Sequence, residues 1–198
     1  WRAVITIGDG IPTYTCLKAN AHALARYAVL CQEAGIVPIV EPEVLLDGNH
    51  SIERCQDVSE ETLRITFAQL AEQRVHLEGM VLKPSMVVSG KDNARQAGVE
   101  EVAERTLRCL KRTVPAAVPG IAFLSGGQSA VSATAHLNAM NKMGPHPWEV
   151  SFSYARALQD PALKAWKGEA GKVSAAQKIF YHRAKMNSAA RSGGYSKE

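Results

Sequence analysis

Three apolar, strand-like runs in this sequence end at Glu41, Lys83 and Ser125, and each end falls 42 residues after the one before. Stretches of helical periodicity lie between them, so a strand, a helix and a return to a further strand recur at a fixed interval. The run at Met80, Val81 and Leu82 has no polar break before Lys83, and Pro84 follows at once. A strand apolar on both faces suits a parallel sheet covered by helices, and a proline ends ladder pairing because it has no N–H. A repeating βα unit of this kind, joined by right-handed crossovers, forms either an open doubly wound sheet or a closed barrel. No GxGxxG follows the first strand, which weighs against the dinucleotide-binding form. The reading is α/β, a (β/α)8 TIM barrel of which this chain supplies about the last five βα units.

In chain order, strands are expected at 1–7, 36–40, 80–82, 120–124 and 148–152. Helices are expected at 15–34, at 60–74 behind a Ser59 cap, and at 99–113, 129–141, 157–166 and 174–190. Residues 1–191 then form one partial barrel domain, and the Ser/Gly-rich residues 192–198 a flexible tail. The sequence opens on Trp1, directly inside a strand. A longer parent is therefore expected, with three further units ahead of Trp1, because a barrel usually takes roughly 250 residues or more.

Composition narrows the function classes. With 46% hydrophobic and 21% charged residues, the profile is that of a soluble globular protein. The net charge of +4 is dispersed, and Lys111–Arg112 is a short basic cluster. Nucleic acid is not the expected partner, whereas a modest positive balance suits a small phosphorylated substrate. No apolar run approaches the roughly 18 to 20 residues of a membrane span, so no membrane association is expected. Cys16, Cys31, Cys55 and Cys109 are widely separated, and the six histidines show no HxH or HExxH spacing. Reduced, mostly buried thiols in an intracellular protein and no metal cofactor are the expectation.

In a barrel the chemistry sits at the carboxyl ends of the strands. Here those ends carry Glu41 and Glu43, then Lys83, then Ser125, Gly126 and Gly127, then Ser153 with Arg156. Desolvation of an amine at a strand end disfavours the ammonium and frees neutral amine to attack a carbonyl, which makes Lys83 a candidate Schiff-base nucleophile. A lysine after a strand is ordinarily a solvated surface residue, so the argument lies in its company. Glu41 and Glu43, two apart on an extended strand, point the same way and can serve as acid and base, or else cap a turn or pair with a lysine. Ser125, Gly126 and Gly127 precede a helix and offer backbone donors to a phosphate, or form a plain βα turn. Arg156, one strand on, offers a forked guanidinium to the same anion, or starts a helix at the surface. Arg2 either enters the site or steadies a neighbouring strand.

The segments GIVPIVEPE (35–43), LEGMVLKPSMV (77–87), KRTVPAAVPGIAFLSGGQS (111–129), LNAMNK (137–142) and FSYARALQ (152–159) closely resemble class I fructose-1,6-bisphosphate aldolase. The resemblance runs over nearly the whole chain. It implies a (β/α)8 barrel, usually a homotetramer, working in the cytoplasm in glycolysis and gluconeogenesis without a metal. Lys83 matches the family's Schiff-base lysine, Glu41 its acid–base glutamate and Glu43 a second site carboxylate. Ser125, Gly126, Ser153, Ala155 and Arg156 match positions around the sugar phosphate, beside which Gly127 lies, and Arg2 an arginine at the mouth. The resemblance implies sugar phosphates as ligands and leaves room for cytoskeletal partners. Three departures stand out: Ser85 in place of a usual asparagine, Ala155 in place of a usual glycine, and Ala130, Val131 and Ser132 in place of an acidic run. The first three barrel strands and a tail ending in tyrosine are not in the chain, and Tyr195 does not take that tyrosine's part. A binding or scaffold protein without turnover, or a Schiff-base enzyme for another sugar phosphate, are the alternative readings, and the chain by itself is expected to be inactive.

Overall fold

The computed structural model describes residues 1–196. Its strands are β1 (Arg2–Ile5), β2 (Ile39–Val44), β3 (Val81–Leu82), β4 (Gly120–Phe123) and β5 (Glu149–Phe152). The helices are α1 (Tyr14–Glu33), α2 (Ile52–Glu72), α3 (Val99–Thr113), α4 (Ala130–Lys142), α5 (Arg156–Trp166) and α6 (Val173–Arg191). All five strands are parallel and follow the order β1-β2-β3-β4-β5. Sequential order with crossovers of one hand puts every helix on the same side of the sheet. The helices accordingly form one outer layer, α1 on α2, α2 on α3, α3 on α4, with α6 against α4 and α5. This is an arc of five consecutive units of a (β/α)8 barrel.

The strands alternate to match. Ala3, Ile5, Val40, Leu82, Ile121, Phe123 and Val150 are buried toward the helices, where they meet Leu17, Leu24, Ile52, Leu70, Leu110 and Leu137. The other face carries Arg2, Val4, Ile39, Glu41, Val81, Ala122 and Ser151, which remain partly or fully exposed. Helix-facing residues therefore build the core, and the alternate set lines the inside of the arc.

Several boundaries differ from the expectation, each for a local reason. The strand expected from residue 36 begins at Ile39, because Ile36 still belongs to the end of α1. Its N–H donates to the Cys31 carbonyl at 2.8 Å across Gly35 at φ +71°, a helix stop that glycine alone adopts freely. The strand then runs on through Glu41, Pro42 and Glu43 to Val44, paired with β1. Helix α2 starts at Ile52 and not at residue 60. Ser51 is its cap, accepting from the Arg54 N–H at 3.2 Å, while Ser59 is buried within the helix. The thiols divide evenly: Cys55 and Cys109 are buried, Cys31 is half-buried and Cys16 is exposed. The tail expected to be flexible is packed as far as Tyr195, which is buried and whose N–H donates to Asn138 Oδ1 at 2.9 Å. Its last two residues, 197–198, lie outside the described residues. No helix among the described residues is long and apolar enough to cross a membrane.

Candidate functional site

The inner face assembles the predicted residues in rows. Arg2 lies opposite Glu41 and Val4 opposite Glu43 in the β1–β2 register. Extending the registers Val40 to Leu82 and Leu82 to Ile121 by one residue sets Glu41 opposite Lys83 and Lys83 opposite Ala122, which pairs with Ser151. Three ionisable side chains thus stand abreast at one level on neighbouring strands. Lys83 Nζ is 3.2 Å from Glu41 Oε1, with only 20% and 16% of the two side chains exposed. The strand-end lysine therefore meets one of the two carboxylates that the sequence set at the neighbouring strand. Glu43, two residues on, is buried, and Arg2 reaches up from β1 to donate to its Oε2 at 3.1 Å. Arg2 thus pairs with one of the two carboxylates of β2, across the strand boundary.

The second group lies one strand further round. After β4, Ser125 is buried, and Gly126 and Gly127 turn the chain at φ +58° and +93°. A residue with a Cβ is strained at such angles, so the two glycines have a conformational reason to be there. The turn closes with the Gln128 N–H donating to the Ser125 carbonyl at 3.0 Å, and the Gly126 and Gly127 amides find no acceptor among the described residues. Ser129 then caps α4. Arg156 converges on this turn: a Cβ built on Gly127 would stand 3.7 Å and 3.8 Å from its two terminal nitrogens. Ala155 precedes α5 without a side-chain cap, so the first amides of that helix also face outward beside Arg156. Ser153 is exposed, its N–H donating to the Phe123 carbonyl at 2.8 Å, which ties it into the β4–β5 ladder. Exposed amides, a helix N-terminus and a guanidinium together can hold a phosphate dianion.

Two residues that the sequence reading left in loops also border this region. Asp47, after β2, pairs with Lys91, after β3. The Lys91 hydrogen bond and charge, with a contribution from Arg156, hold the Asp47 carboxyl below its ordinary range. Both residues follow strand ends in polar loops, and strand-end position was the one signal that could have singled them out. Among the described residues, no group of three or more His, Cys, Asp or Glu side chains is placed to share a metal ion.

Comparison with known proteins agrees with this arrangement. The family model for fructose-bisphosphate aldolase class-I matches residues 1–198. A probable fructose-bisphosphate aldolase class 1 of Xanthomonas campestris is 60% identical over 194 residues, covering 98% of this chain and 58% of that protein. A cytosolic fructose-bisphosphate aldolase 4 of Arabidopsis thaliana is 53% identical over 98% of this chain and 50% of its own length. Among solved structures, the fructose-bisphosphate aldolase of Plasmodium falciparum, in complex with TRAP and a small-molecule inhibitor, superimposes with a TM-score of 0.97 at 45% identity. That match covers 100% of this chain and 58% of the other. The chain thus spans rather more than half the length of the relatives it matches.

Proposed function

The chain belongs to the class I fructose-bisphosphate aldolase family, and on that premise we propose that the intact protein reversibly cleaves fructose 1,6-bisphosphate through an imine on Lys83. The products are dihydroxyacetone phosphate and glyceraldehyde 3-phosphate. The observation that carries the reading is the Lys83–Glu41 pair, an amine and a carboxylate 3.2 Å apart on adjacent strands. The neutral amine of Lys83 attacks the ketone at carbon 2, forming a carbinolamine, and Glu41 delivers the proton with which its hydroxyl leaves as water. Loss of the proton from the carbon 4 hydroxyl then breaks the bond between carbons 3 and 4, and its electron pair enters the iminium to give an enamine. Glyceraldehyde 3-phosphate departs. Protonation at carbon 3 and addition of water at carbon 2 release dihydroxyacetone phosphate and return Lys83 to the free amine.

Glu43, held by Arg2, is the second carboxylate of the site. The phosphate next to the ketone binds against Ser125, Gly126, Gly127, Ser153, Ala155 and Arg156, which the convergence of Arg156 on Gly127 supports. Family members of class I work through the covalent imine and without a metal. Assembly as a homotetramer and cytoskeletal partners follow from the family resemblance, and cytoplasmic location from the cytosolic Arabidopsis relative. The Plasmodium aldolase complex with TRAP supports a binding role beside turnover.

Borohydride reduction of the intact protein in the presence of dihydroxyacetone phosphate, followed by peptide mass spectrometry, tests the reading. A stable adduct on Lys83 is expected. Folded protein that yields no adduct on any lysine would leave only the non-catalytic binding role.

A further inference from the structure

The sheet splits beside Lys83, and Ser85 bridges the split. Along β2, residues 41 and 45 donate their N–H groups to β1, to the carbonyls of Trp1 and Ile5, while the Val40 carbonyl accepts from the Lys83 N–H at 2.8 Å. The even-numbered residues of β2 therefore face β3. The next of these is Pro42, which has no N–H to give to β3, while Pro84 on the opposing strand has its backbone turned toward β4. The β2–β3 ladder ends at this point, although β2 continues to Val44 along β1. The chain after Lys83 stays instead with β4, the Leu124 N–H donating to the Pro84 carbonyl at 3.3 Å. Between the parting strands lies a cavity of about 10 Å³, lined by Pro42, Val44, Pro84, Ser85 and Thr62 among others. Thr62 Oγ1 is buried there with no hydrogen-bond partner among the described residues.

At this gap Ser85 Oγ donates to the Val44 carbonyl at 2.8 Å, and further along the Lys91 N–H donates to the Leu46 carbonyl at 2.9 Å. Val44 is the next β3-facing position after Pro42, so the hydroxyl occupies the place where a ladder bond would have been. It ties the residue after Glu43 to the second residue after Lys83. We infer that Ser85 is a positioning residue, holding the strand that carries Glu41 and Glu43 at a fixed separation from Lys83 where Pro42 has no N–H to give and the backbone ladder between the strands has ended. The role rests on the Schiff-base reading given above for its catalytic consequence, but its geometric consequence stands independently. Without the hydroxyl the strands part further, Glu41 draws back from Lys83, and the 3.2 Å contact between carboxylate and amine is loosened.

The test uses the intact protein as wild type, Ser85→Ala and Ser85→Thr, each shown by thermal melting to be folded. Acylation of Lys83 by acetic anhydride is followed across pH by peptide mass spectrometry, with other lysines as internal references, and imine trapping is measured in parallel. In Ser85→Ala, Lys83 is expected to label roughly three- to tenfold faster than in wild type, because an amine held less closely by Glu41 is more open to the reagent. Trapping with dihydroxyacetone phosphate is expected to slow, and Ser85→Thr to restore both. Wild-type labelling and trapping in folded Ser85→Ala would overturn the inference, as would a threonine variant no better than the alanine one. If wild type forms no imine yet Ser85→Ala still shifts the labelling of Lys83, the Schiff-base reading fails and the positioning role is upheld.

Discussion

Replacing Gly127 by alanine separates two things that the phosphate turn does at once. At φ +93° an L residue is strained, and the penalty for a Cβ in left-handed backbone is about 1–2 kcal/mol. The methyl group itself meets no steric bar, with Leu46 Cδ2 at 3.5 Å and the Arg156 nitrogens at 3.7 Å and 3.8 Å. It does, however, occupy the gap between the Gly127 amide and the guanidinium, where a phosphate oxygen has to lie to accept from both. Losing one charge-assisted hydrogen bond of that kind costs roughly 1.5–3 kcal/mol, or about ten- to a hundredfold in affinity. Gly35→Ala is the control. Gly35 sits at φ +71° with nothing within 4 Å, and it precedes β2, at the end of the sheet opposite the site. Both variants of the intact protein should melt a few degrees lower, the expected effect of a penalty of that order. Only Gly127→Ala should raise KM for fructose 1,6-bisphosphate, with kcat little changed because the contact is made equally in ground and transition states. A wild-type KM in folded Gly127→Ala, or an equal rise in Gly35→Ala, would refute placement of the phosphate at this turn.

Two further outcomes are expected. Burial lowers the His136 pKa from 6.5 to about 4, so the folded protein binds this proton less readily than the unfolded chain. Between those two values the unfolded state holds more protons, and stability falls as pH drops through the window by roughly 2 kcal/mol from pH 7 to pH 5. Urea unfolding at the two pH values should show that loss in wild type and much less of it in His136→Gln. Residues 1–198 expressed alone should be inactive and self-associate, since the inner face exposes Val4 and Ile39 and the adjacent surface Trp1, Ile36 and Val37. Size-exclusion chromatography with an aldol-cleavage assay checks this, and a stable active monomer would contradict it.

How far the sequence spoke for the structure depended on whether a signal was local. Helix α3 was expected at 99–113 and is found at Val99–Thr113, because Gly98, Glu100 and Glu101 mark its start and Lys111 and Arg112 its end. The beginning of α2 was not legible, since its inward face buries Gln56, Ser59, Glu60, Thr62, Thr66 and Gln69 and so reads as polar. Some of those groups bond within the helix, Gln56 to Glu60 and Thr66 to the Thr62 carbonyl, and others from a distance, as Arg112 reaches Glu60 from α3 at 3.0 Å. The pairing of Lys83 with Glu41 was foreshadowed by their equal place at the ends of successive strands. The encounter of Arg156 with Gly127 was expected only as a shared barrel mouth. Ser85 stood out in the sequence only as a departure from the family's usual asparagine close to Lys83, and its bond to Val44 was hidden, because register is not written in either strand alone.

The alternation of the strands has a consequence for interpreting variants. Val40 and Glu41 are neighbours in the chain, yet one is sealed against the helices and the other stands beside Lys83. The same division separates Leu82 from Lys83 and Ala3 from Arg2. A change at the first of each pair will be read as lost protein, lower yield and a lower melting point. A change at the second will leave abundance nearly untouched, and on the proposed function it will alter turnover. Adjacent letters of this sequence thus answer to different pressures, and any tally of tolerated substitutions that averages along the chain will blur the two.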